Sequence, residues 1–229
     1  MSNSTTIFTS PTMELTKEGE VHVLTLNNTE SANTFTDSVI LEHLNILDKL
    51  EAIEGNTSIV VTSSDPKAWS TGINLEWLTE KGPEYFSSLK TSLDAMFLRW
   101  VRLPMPTIAC LTGHTFAGGA ILSCCFDFRL MRKDRGYFCF SEVDVKIPFS
   151  PTMHAVIEQI SDKRALKEIA LTGRRIGGED AVRMSVVDAT YDQADLLPKT
   201  MELAAMLATK DRATYSLIKA GLKADLYAI

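Results

Sequence analysis

The segment from Pro104 to Phe128 constrains the fold of this chain more than any other part of the sequence. It reads PMPTIACLTGHTFAGGAILSCCFDF, which predicts a buried strand, then the small-residue turn Ala117-Gly118-Gly119, then an apolar helix. A helix N-terminus carries unpaired backbone N–H groups, and glycine lets a ligand approach them closely. Such a turn can hold an oxygen that becomes negative during a reaction.

A second glycine-centred turn lies upstream, in the stretch Ser70-Thr71-Gly72-Ile73-Asn74. It also follows a predicted buried strand and a polar loop. A single glycine after a strand is more often structural than functional. Two such turns can instead present two N–H groups to one carbonyl oxygen, and such an oxyanion hole typically loses about 10²–10³ in rate when one donor is removed.

The remaining pattern mixes strands and helices in the first two thirds of the chain and is almost wholly helical after Pro151. Alternating or continuous apolar runs indicate the strands, and apolar residues at helical spacing indicate the helices. One α/β domain with a helical C-terminal extension accounts for this order. We expect strands at 21–26, 58–62, 107–111, 126–131 and 137–140, and helices at 37–54, capped by Thr36, and at 84–102.

Composition narrows the class of protein. The 229 residues fit one domain with a substantial core, and the net charge of −6 argues mildly against a nucleic-acid-binding surface. No run approaches the roughly 18 apolar residues of a membrane span, and the N-terminus does not read as a secretory signal. We therefore expect a cytoplasmic protein without a membrane span.

Metal and disulfide chemistry find little support in the sequence. The cysteines form no CxxC pair, so we expect buried free thiols in a reducing compartment. The histidines have no acid or cysteine partner at ligand spacing, so we predict no metal. The cysteines are Cys110, Cys124, Cys125 and Cys139, and the histidines in question are His22, His43 and His154.

Taken in order, the motifs resemble those of the crotonase superfamily, the enoyl-CoA hydratases and isomerases. The likeness runs from about residue 21 to 220, and within the superfamily 131–136 and 141–144 look most like the plant-type Δ3,Δ2-enoyl-CoA isomerases. The matching elements are Ala32-Asn33, the block 70–75, Pro106-Thr107-Ile108-Ala109, the block 113–119, Asp127, the block 171–176 and Glu179-Asp180-Ala181.

This resemblance implies a fold, an assembly and a site. The fold would be a crotonase-like spiral of ββα units, with a flexible tail over 1–12, the core over 13–190 and a helical trimerisation region over 191–229. The assembly would be a homotrimer or a dimer of trimers. The oxyanion hole would be the N–H groups of Ile73 and Gly118. CoA would be part of the acyl-CoA substrate rather than a separate cofactor. The residues expected to bind this substrate are Ala32, Asn33, Ser70, Thr71, Gly72, Asn74 and Gly119.

Two positions then distinguish the reactions within the superfamily. Its hydratases use two glutamates, and the resemblance puts Ile121 at the first position and Glu142 at the second. Isoleucine cannot orient or deprotonate water, whereas one carboxylate beside an oxyanion hole suits a proton shuttle. A partly apolar pocket would raise the pKa of Glu142. Asp144 is the alternative catalytic acid, because in a continuing strand its side chain would point to the same face as that of Glu142.

Other residues have simpler explanations. His114 fits a buried hydrogen-bonding histidine better than a base. Two pairs, Arg174-Arg175 and Lys219 with Lys223, could meet CoA phosphates or simply lie on solvated faces. The three tryptophans are expected to be packing residues.

We therefore expect a Δ3,Δ2-enoyl-CoA isomerase in which Glu142 transfers one proton. The alternatives are another crotonase-type enzyme, such as a hydrolase, decarboxylase or hydratase, and a non-catalytic acyl-CoA- or RNA-binding relative. The last three residues, Tyr227-Ala228-Ile229, are not a Ser-Lys-Leu type peroxisomal address, although the plant-type resemblance points to peroxisomes.

Overall fold

The computed structural model describes residues 4–82 and 84–229. The strands are β1 (Thr5–Thr9), β2 (Met13–Glu18), β3 (Val21–Leu26), β4 (Ser58–Ser63), β5 (Ala68–Ser70), β6 (Thr107–Leu111), β7 (His114–Phe116), β8 (Phe128–Arg132), β9 (Phe138–Cys139) and β10 (Ala189–Tyr191). The helices are α1 (Asp37–Glu51), α2 (Leu75–Lys81), α3 (Tyr85–Arg102), α4 (Gly118–Cys125), α5 (Glu142–Val145), α6 (Pro151–Ile157), α7 (Lys163–Thr172), α8 (Gly178–Arg183), α9 (Gln193–Leu207), α10 (Arg212–Leu222) and α11 (Ala224–Ala228).

The strands form two sheets that the chain visits alternately. The larger has the order β1-β2-β3-β4-β6-β8-β10, antiparallel from β1 to β3 and parallel from β3 to β10. The smaller is parallel, in the order β5-β7-β9. Each of β4, β6 and β8 is followed by a short strand of the smaller sheet and then by helix. This repeat is the predicted crotonase-like spiral of ββα units, so the predicted fold is confirmed.

The central strands are buried on both faces, as expected where helices cover a parallel sheet. Every residue of β6 is buried. On β4, Val61 packs in the main core, whereas its neighbour Val60 belongs to a second cluster that includes Leu196 and Leu207 of α9. The sheet is thus fixed between α9 on one side and the main core on the other.

Several expectations change in detail. The tail expected over 1–12 contains β1, which pairs antiparallel with β2 as an edge strand; residues 1–3 lie outside the described residues. Helix α1 begins at Asp37 after Thr36, as predicted, but ends at Glu51 rather than at residue 54. The expected helical region 191–229 contains α9, α10 and α11. No helix in the described ranges is both long and apolar enough to cross a membrane.

A buried ionic cluster attaches the C-terminal helices to the end of α4. The Asp127 carboxylate accepts hydrogen bonds from the Thr107 N–H at 3.1 Å and Tyr215 Oη at 3.0 Å. It also pairs with Lys219 Nζ at 3.0 Å and Lys223 Nζ at 2.8 Å. Both lysines are buried, so the idea that they meet CoA phosphates or lie on a solvated face is wrong.

Burial and charge act in opposite directions in this cluster. Burial alone would raise the pKa of Asp127, but the two ammonium groups hold it below its usual range. Burial lowers the pKa of Lys219 to about 8, although Asp127 opposes this. Lys219 Nζ also donates to the carbonyl oxygens of Leu103 and Met105, at 3.0 and 3.1 Å. The cluster therefore joins α10 to the segment before β6.

Candidate active site

The two glycine turns predicted from the sequence lie directly against each other. Gly72 has a φ of +83°, and a Cβ built on it would lie 2.6 Å from the backbone nitrogen of Gly118. An L side chain at this position would therefore be strained by its backbone conformation and would also collide with the start of α4. The turn after β5 and the turn before α4 meet because residue 72 has no side chain.

Ile73 and Gly118 each bring a backbone N–H to this junction. The backbone of Phe35 forms hydrogen bonds with the residues on either side of Ile73. The Phe35 N–H donates to Gly72 O at 2.7 Å, and the Phe35 carbonyl accepts from the Asn74 N–H at 3.0 Å. Gly118 is the first residue of α4, where an N–H has no acceptor within the helix. In the described ranges, neither N–H donates to a protein acceptor. Both residues line one cavity, which can accept an anionic oxygen.

A strained residue precedes Gly118. Ala117 has φ 48° and ψ −126°, a conformation that a non-glycine residue adopts at a typical cost of about 1–3 kcal/mol. Its N–H donates to Cys139 O at 2.9 Å, which holds the turn to β9. Because ψ of residue 117 sets the peptide plane that carries the next N–H, this conformation fixes the direction of the Gly118 donor.

Glu142 is the acidic group of the cavity. It begins α5 and is buried, with 7 % of its surface exposed. Burial raises the pKa of Glu142 to about 7, because an apolar environment disfavours the carboxylate. Its Oε2 has no hydrogen-bond partner within the part of the chain that the structure describes. A carboxyl group with this pKa can both accept and return a proton near neutral pH.

The structure removes the basis for treating Asp144 as an equivalent base. Residues 142–145 form a short helix rather than a continuation of the strand predicted over 137–140, so the side chains of residues 142 and 144 do not share a face. Asp144 is exposed, is not among the cavity residues, and lies against Gly173 of the loop after α7. Glu142 alone faces the cavity.

The cavity wall is mostly apolar. Ile121, in the first turn of α4, is 1 % exposed and belongs to this wall, so position 121 contributes an aliphatic side chain to the cavity. The cavity has a volume of about 70 Å³. Its lining consists of Thr71, Ile73, Leu75, Phe86, Leu93, Ala117, Gly118, Ile121, Ser141, Glu142, Val145, Ile147 and Met153.

Of the residues predicted to contact CoA, Thr71 lines the cavity, whereas the others are not in its lining. Ser70 Oγ donates to Asn33 O at 2.8 Å, and Asn33 Nδ2 donates to Ser63 Oγ at 2.8 Å. A Cβ on Gly119 would lie 2.3 Å from Ser70 O, so this glycine lets α4 approach β5.

Two more of the residues predicted to contact CoA stabilise the loop 71–74 between β5 and α2. Asn74 Oδ1 caps α2 by accepting from the Trp77 N–H at 2.9 Å, and Ala32 O accepts from the Thr71 N–H at 3.2 Å. With Gly72 at the turn itself, these residues give the loop its shape. Direct contact of Ala32, Asn33, Ser70, Gly72, Asn74 and Gly119 with CoA stays a prediction.

Several cavity residues were not singled out from the sequence. Phe86 and Leu93 of α3 lie seven residues apart, which is two helical turns. This helical spacing of apolar residues was the sequence signal that could have identified them as neighbours on one face. Val145 and Ile147 were not identifiable, because they reach the cavity through the short helix α5 and the turn after it.

The remaining candidates lie outside the cavity. His114 is half-buried rather than buried, stacks on Tyr137 with ring centroids 5.7 Å apart, and has no partner for Nδ1 among the described residues. Arg174 pairs with Glu168 and Asp180, and the Arg175 guanidinium lies 5.2 Å from the centre of the Phe116 ring.

The cysteines and tryptophans fall largely as expected. All four cysteines are buried and unpaired. Trp69 and Trp100 are fully buried packing residues, and Trp77 packs partly buried against the core. In the described ranges, no group of three or more His, Cys, Asp or Glu side chains is arranged to hold a metal ion.

Comparison with known sequences identifies the family. The profile of the enoyl-CoA hydratase/isomerase family matches residues 16–228. Enoyl-CoA delta isomerase 3 of Arabidopsis thaliana is 31% identical over 220 residues, covering 93% of this chain and 92% of the relative. The Arabidopsis protein named enoyl-CoA delta isomerase 2, peroxisomal, is 32% identical over 204 residues, covering 86% and 85% of the two chains.

Solved structures agree on the fold. The enoyl-CoA hydratase from Bacillus anthracis superimposes with a TM-score of 0.81 at 21% identity, over 95% of this chain and 90% of that one. An enoyl-CoA hydratase/carnithine racemase from Magnetospirillum magneticum gives a TM-score of 0.86 at 20% identity, over 93% and 80% of the two chains.

Proposed function

The chain belongs to the enoyl-CoA hydratase/isomerase family, and we propose that it moves the double bond of a 3-enoyl-CoA to the 2 position. The observation that carries this proposal is the pairing of one buried carboxyl group, Glu142, with an aliphatic residue, Ile121, in the same cavity. The names of the Arabidopsis relatives support an isomerase.

The reaction begins with the thioester oxygen between the N–H groups of Ile73 and Gly118. The Glu142 carboxylate removes a proton from C2, and the electrons of that C–H bond pass into a dienolate whose negative charge lies on the thioester oxygen. The two N–H donors stabilise this charge without having to reorient during the reaction.

The same carboxyl group completes the reaction. Glu142, now protonated, gives its proton to C4, the thioester carbonyl re-forms, and the double bond lies between C2 and C3. A single residue serves as base and then as acid, which a pKa near 7 favours. No water is consumed or released, and the apolar wall at Ile121 offers no second acid to activate one.

Assembly and compartment are proposals from the family. We propose a homotrimer or a dimer of trimers, which light scattering of the purified protein tests. We propose the cytoplasm, although two Arabidopsis relatives are named peroxisomal, and imaging of the tagged full chain distinguishes the two compartments.

The test of the function is a substrate comparison with product identification. Purified protein is given 3-hexenoyl-CoA and, separately, 2-hexenoyl-CoA. Isomerisation gives a conjugated thioester of unchanged mass, hydration adds one water, and hydrolysis frees a thiol. We expect isomerisation of the first substrate to exceed hydration of the second by at least about 10², the size of a typical general acid–base contribution. Hydration as the faster reaction would overturn the proposal, and saturable binding without turnover would favour a binding protein.

A further inference from the structure

A buried residue outside the cavity lining connects the two backbone donors. Phe35 lies two residues before α1, is 1% exposed, and is not among the residues that line the cavity. Its backbone pairs with Ile73 in an isolated parallel β-bridge, and its ring lies against Gly118. Phe35 therefore contacts both the turn after β5 and the first residue of α4, the two segments that supply the N–H groups.

The backbone of Phe35 orients the peptide group that carries the first donor. The Phe35 N–H donates to Gly72 O, and Gly72 O and the Ile73 N–H are the two ends of one planar peptide group. Because this peptide group is trans, an oxygen held on the side of Phe35 directs the Ile73 N–H to the opposite side. The Phe35 carbonyl also accepts from the Asn74 N–H, so the chain is held on both sides of Ile73.

The ring of Phe35 contacts the residue that carries the second donor. A Cβ built on Gly118 would lie 3.2 Å from Cε2 and 3.3 Å from Cδ2 of Phe35, so the edge of the ring lies where a side chain at position 118 would begin. The same Cβ would lie 3.4 Å from Gly72 Cα. The Phe35 ring and the Gly72 backbone thus form the surface against which the first residue of α4 packs.

Two helices fix the orientation of the Phe35 ring. The centre of the ring is 6.0 Å from that of His43 on α1, at an interplanar angle of 72°, and 6.5 Å from that of Phe97 on α3, at 70°. Such edge-to-face arrangements are preferred by aromatic pairs. His43 and Phe97 are fully buried, so close packing leaves the ring little freedom to turn.

We propose that Phe35 is a positioning residue for the oxyanion hole, because its backbone orients the Ile73 N–H while its ring fixes Gly118. This inference rests on the proposed function. Donors of this kind stabilise a developing charge when they are already in place, and a misplacement of 1 Å can cost about 10²-fold in rate. Any residue except proline can form the two backbone hydrogen bonds, so a side-chain substitution tests the ring alone.

The variants Phe35→Leu and Phe35→Met remove the aromatic edge but keep an apolar side chain. Methionine fills the space with a flexible chain, so it provides a second variant if leucine destabilises the fold. With 3-hexenoyl-CoA we expect kcat to fall about tenfold or more in both variants, while KM changes less than about threefold. This split is expected because the donors bind the oxygen most strongly once it is charged, in the transition state.

An infrared measurement reports on the donors without turnover. The probe is hexanoyl-CoA, a saturated thioester, with an isotope label at its carbonyl carbon. Two well-placed N–H groups polarise the C=O bond of the bound thioester and lower its stretching frequency relative to the free thioester. We expect the Phe35 variants to lose about a third or more of the frequency shift that the wild type produces, since displaced donors polarise the bond less.

The matched control is Phe126→Leu, which changes a phenylalanine that is also 1% exposed but follows the end of α4 opposite to Gly118. We expect it to keep the wild-type kcat and the wild-type frequency shift. A wild-type frequency shift in folded Phe35→Leu and Phe35→Met, or an equal loss in Phe126→Leu, would overturn the inference. A shift that falls only in the Phe35 variants, in a protein whose wild type does not turn over 3-hexenoyl-CoA, would support the role of Phe35 and contradict the proposed function.

Discussion

Ile121 and Glu142 line the same cavity from two different helices, α4 and α5. Ile121 is part of the apolar wall, and burial in that environment raises the pKa of Glu142 to about 7. The backbone donors Ile73 and Gly118 lie in the same lining. The cavity thus combines one buried carboxyl group with two backbone N–H donors, and among the described residues its lining contains no second acid.

The contact between Gly72 and Gly118 gives the first prediction. In Gly72→Ala the new Cβ would lie 2.6 Å from Gly118 N, and the φ of +83° would be strained, so the two turns must separate. We expect isomerase activity to fall by about 10²–10³, as when one oxyanion donor is lost. Gly177→Ala is the control, because a Cβ there meets nothing within 4 Å. Activity of Gly72→Ala within about twofold of the wild type would show that this contact does not shape the site.

The pKa of Glu142 sets the expected dependence of activity on pH. The carboxylate is the reactive form, and its fraction increases as pH rises toward the pKa of about 7. We expect kcat/KM to rise about tenfold per pH unit well below pH 7 and to level off above it. A profile of kcat/KM with 3-hexenoyl-CoA checks this. A plateau that extends down to about pH 5 would mean that the base has an unperturbed carboxyl pKa.

The same shift predicts a pH-dependent stability. Because the folded-state pKa of Glu142 is raised from 4.5 to about 7, the folded protein binds the proton more tightly than the unfolded chain does, and stability falls as pH rises between these values. Relative to the wild type, Glu142→Gln should gain up to about 3 kcal/mol in unfolding free energy on going from acid to alkaline pH. Urea unfolding at several pH values measures this, and a pH-independent difference would contradict it.

The buried cluster around Asp127 predicts a large effect on stability far from the chemistry. Asp127→Ala leaves Lys219 and Lys223 buried without their carboxylate, which should cost about 3–5 kcal/mol. The control is Asp48→Ala, which removes an exposed partner of Arg99 and should cost about 1 kcal/mol or less. Chemical denaturation gives both values. A loss in Asp127→Ala no larger than in the control would mean that the lysines find other partners or reach water.

The structure agrees with the sequence-based predictions where one short segment contains all the residues that define an element. The strand, glycine turn and helix at 104–128 were predictable because apolar runs and glycines lie in one stretch, whereas the roles expected of Ile121 and Glu142 came from the family resemblance aligned on those glycines. Strands β5 and β7 have only three residues each, too few to show a period of two, whereas β9 lies within the strand expected at 137–140. Asp127 and Lys223 are 96 residues apart, so their pairing exists only in the folded chain.

The short helix at Glu142 shows the same limit at the site. From sequence, the aromatic run before it predicted a strand over 137–140, and Asp144 would share the face of Glu142 only if that strand continued. The chain instead turns at Ser141, where the Asp144 and Val145 N–H groups both donate to Ser141 O at 3.0 Å. A turn of four residues is decided by such local contacts and by packing against α7, which a periodic pattern does not encode.

The most direct test of the account is the rate of Glu142→Gln with 3-hexenoyl-CoA. The amide keeps the shape of the side chain but cannot take the proton from C2, so we predict a fall in kcat of at least about 10²–10⁴ in a protein with a wild-type circular dichroism spectrum. Asp144→Asn, which changes an exposed acid outside the cavity, should keep the wild-type rate. A folded Glu142→Gln that isomerises at the wild-type rate would contradict the assignment of Glu142 as the proton carrier.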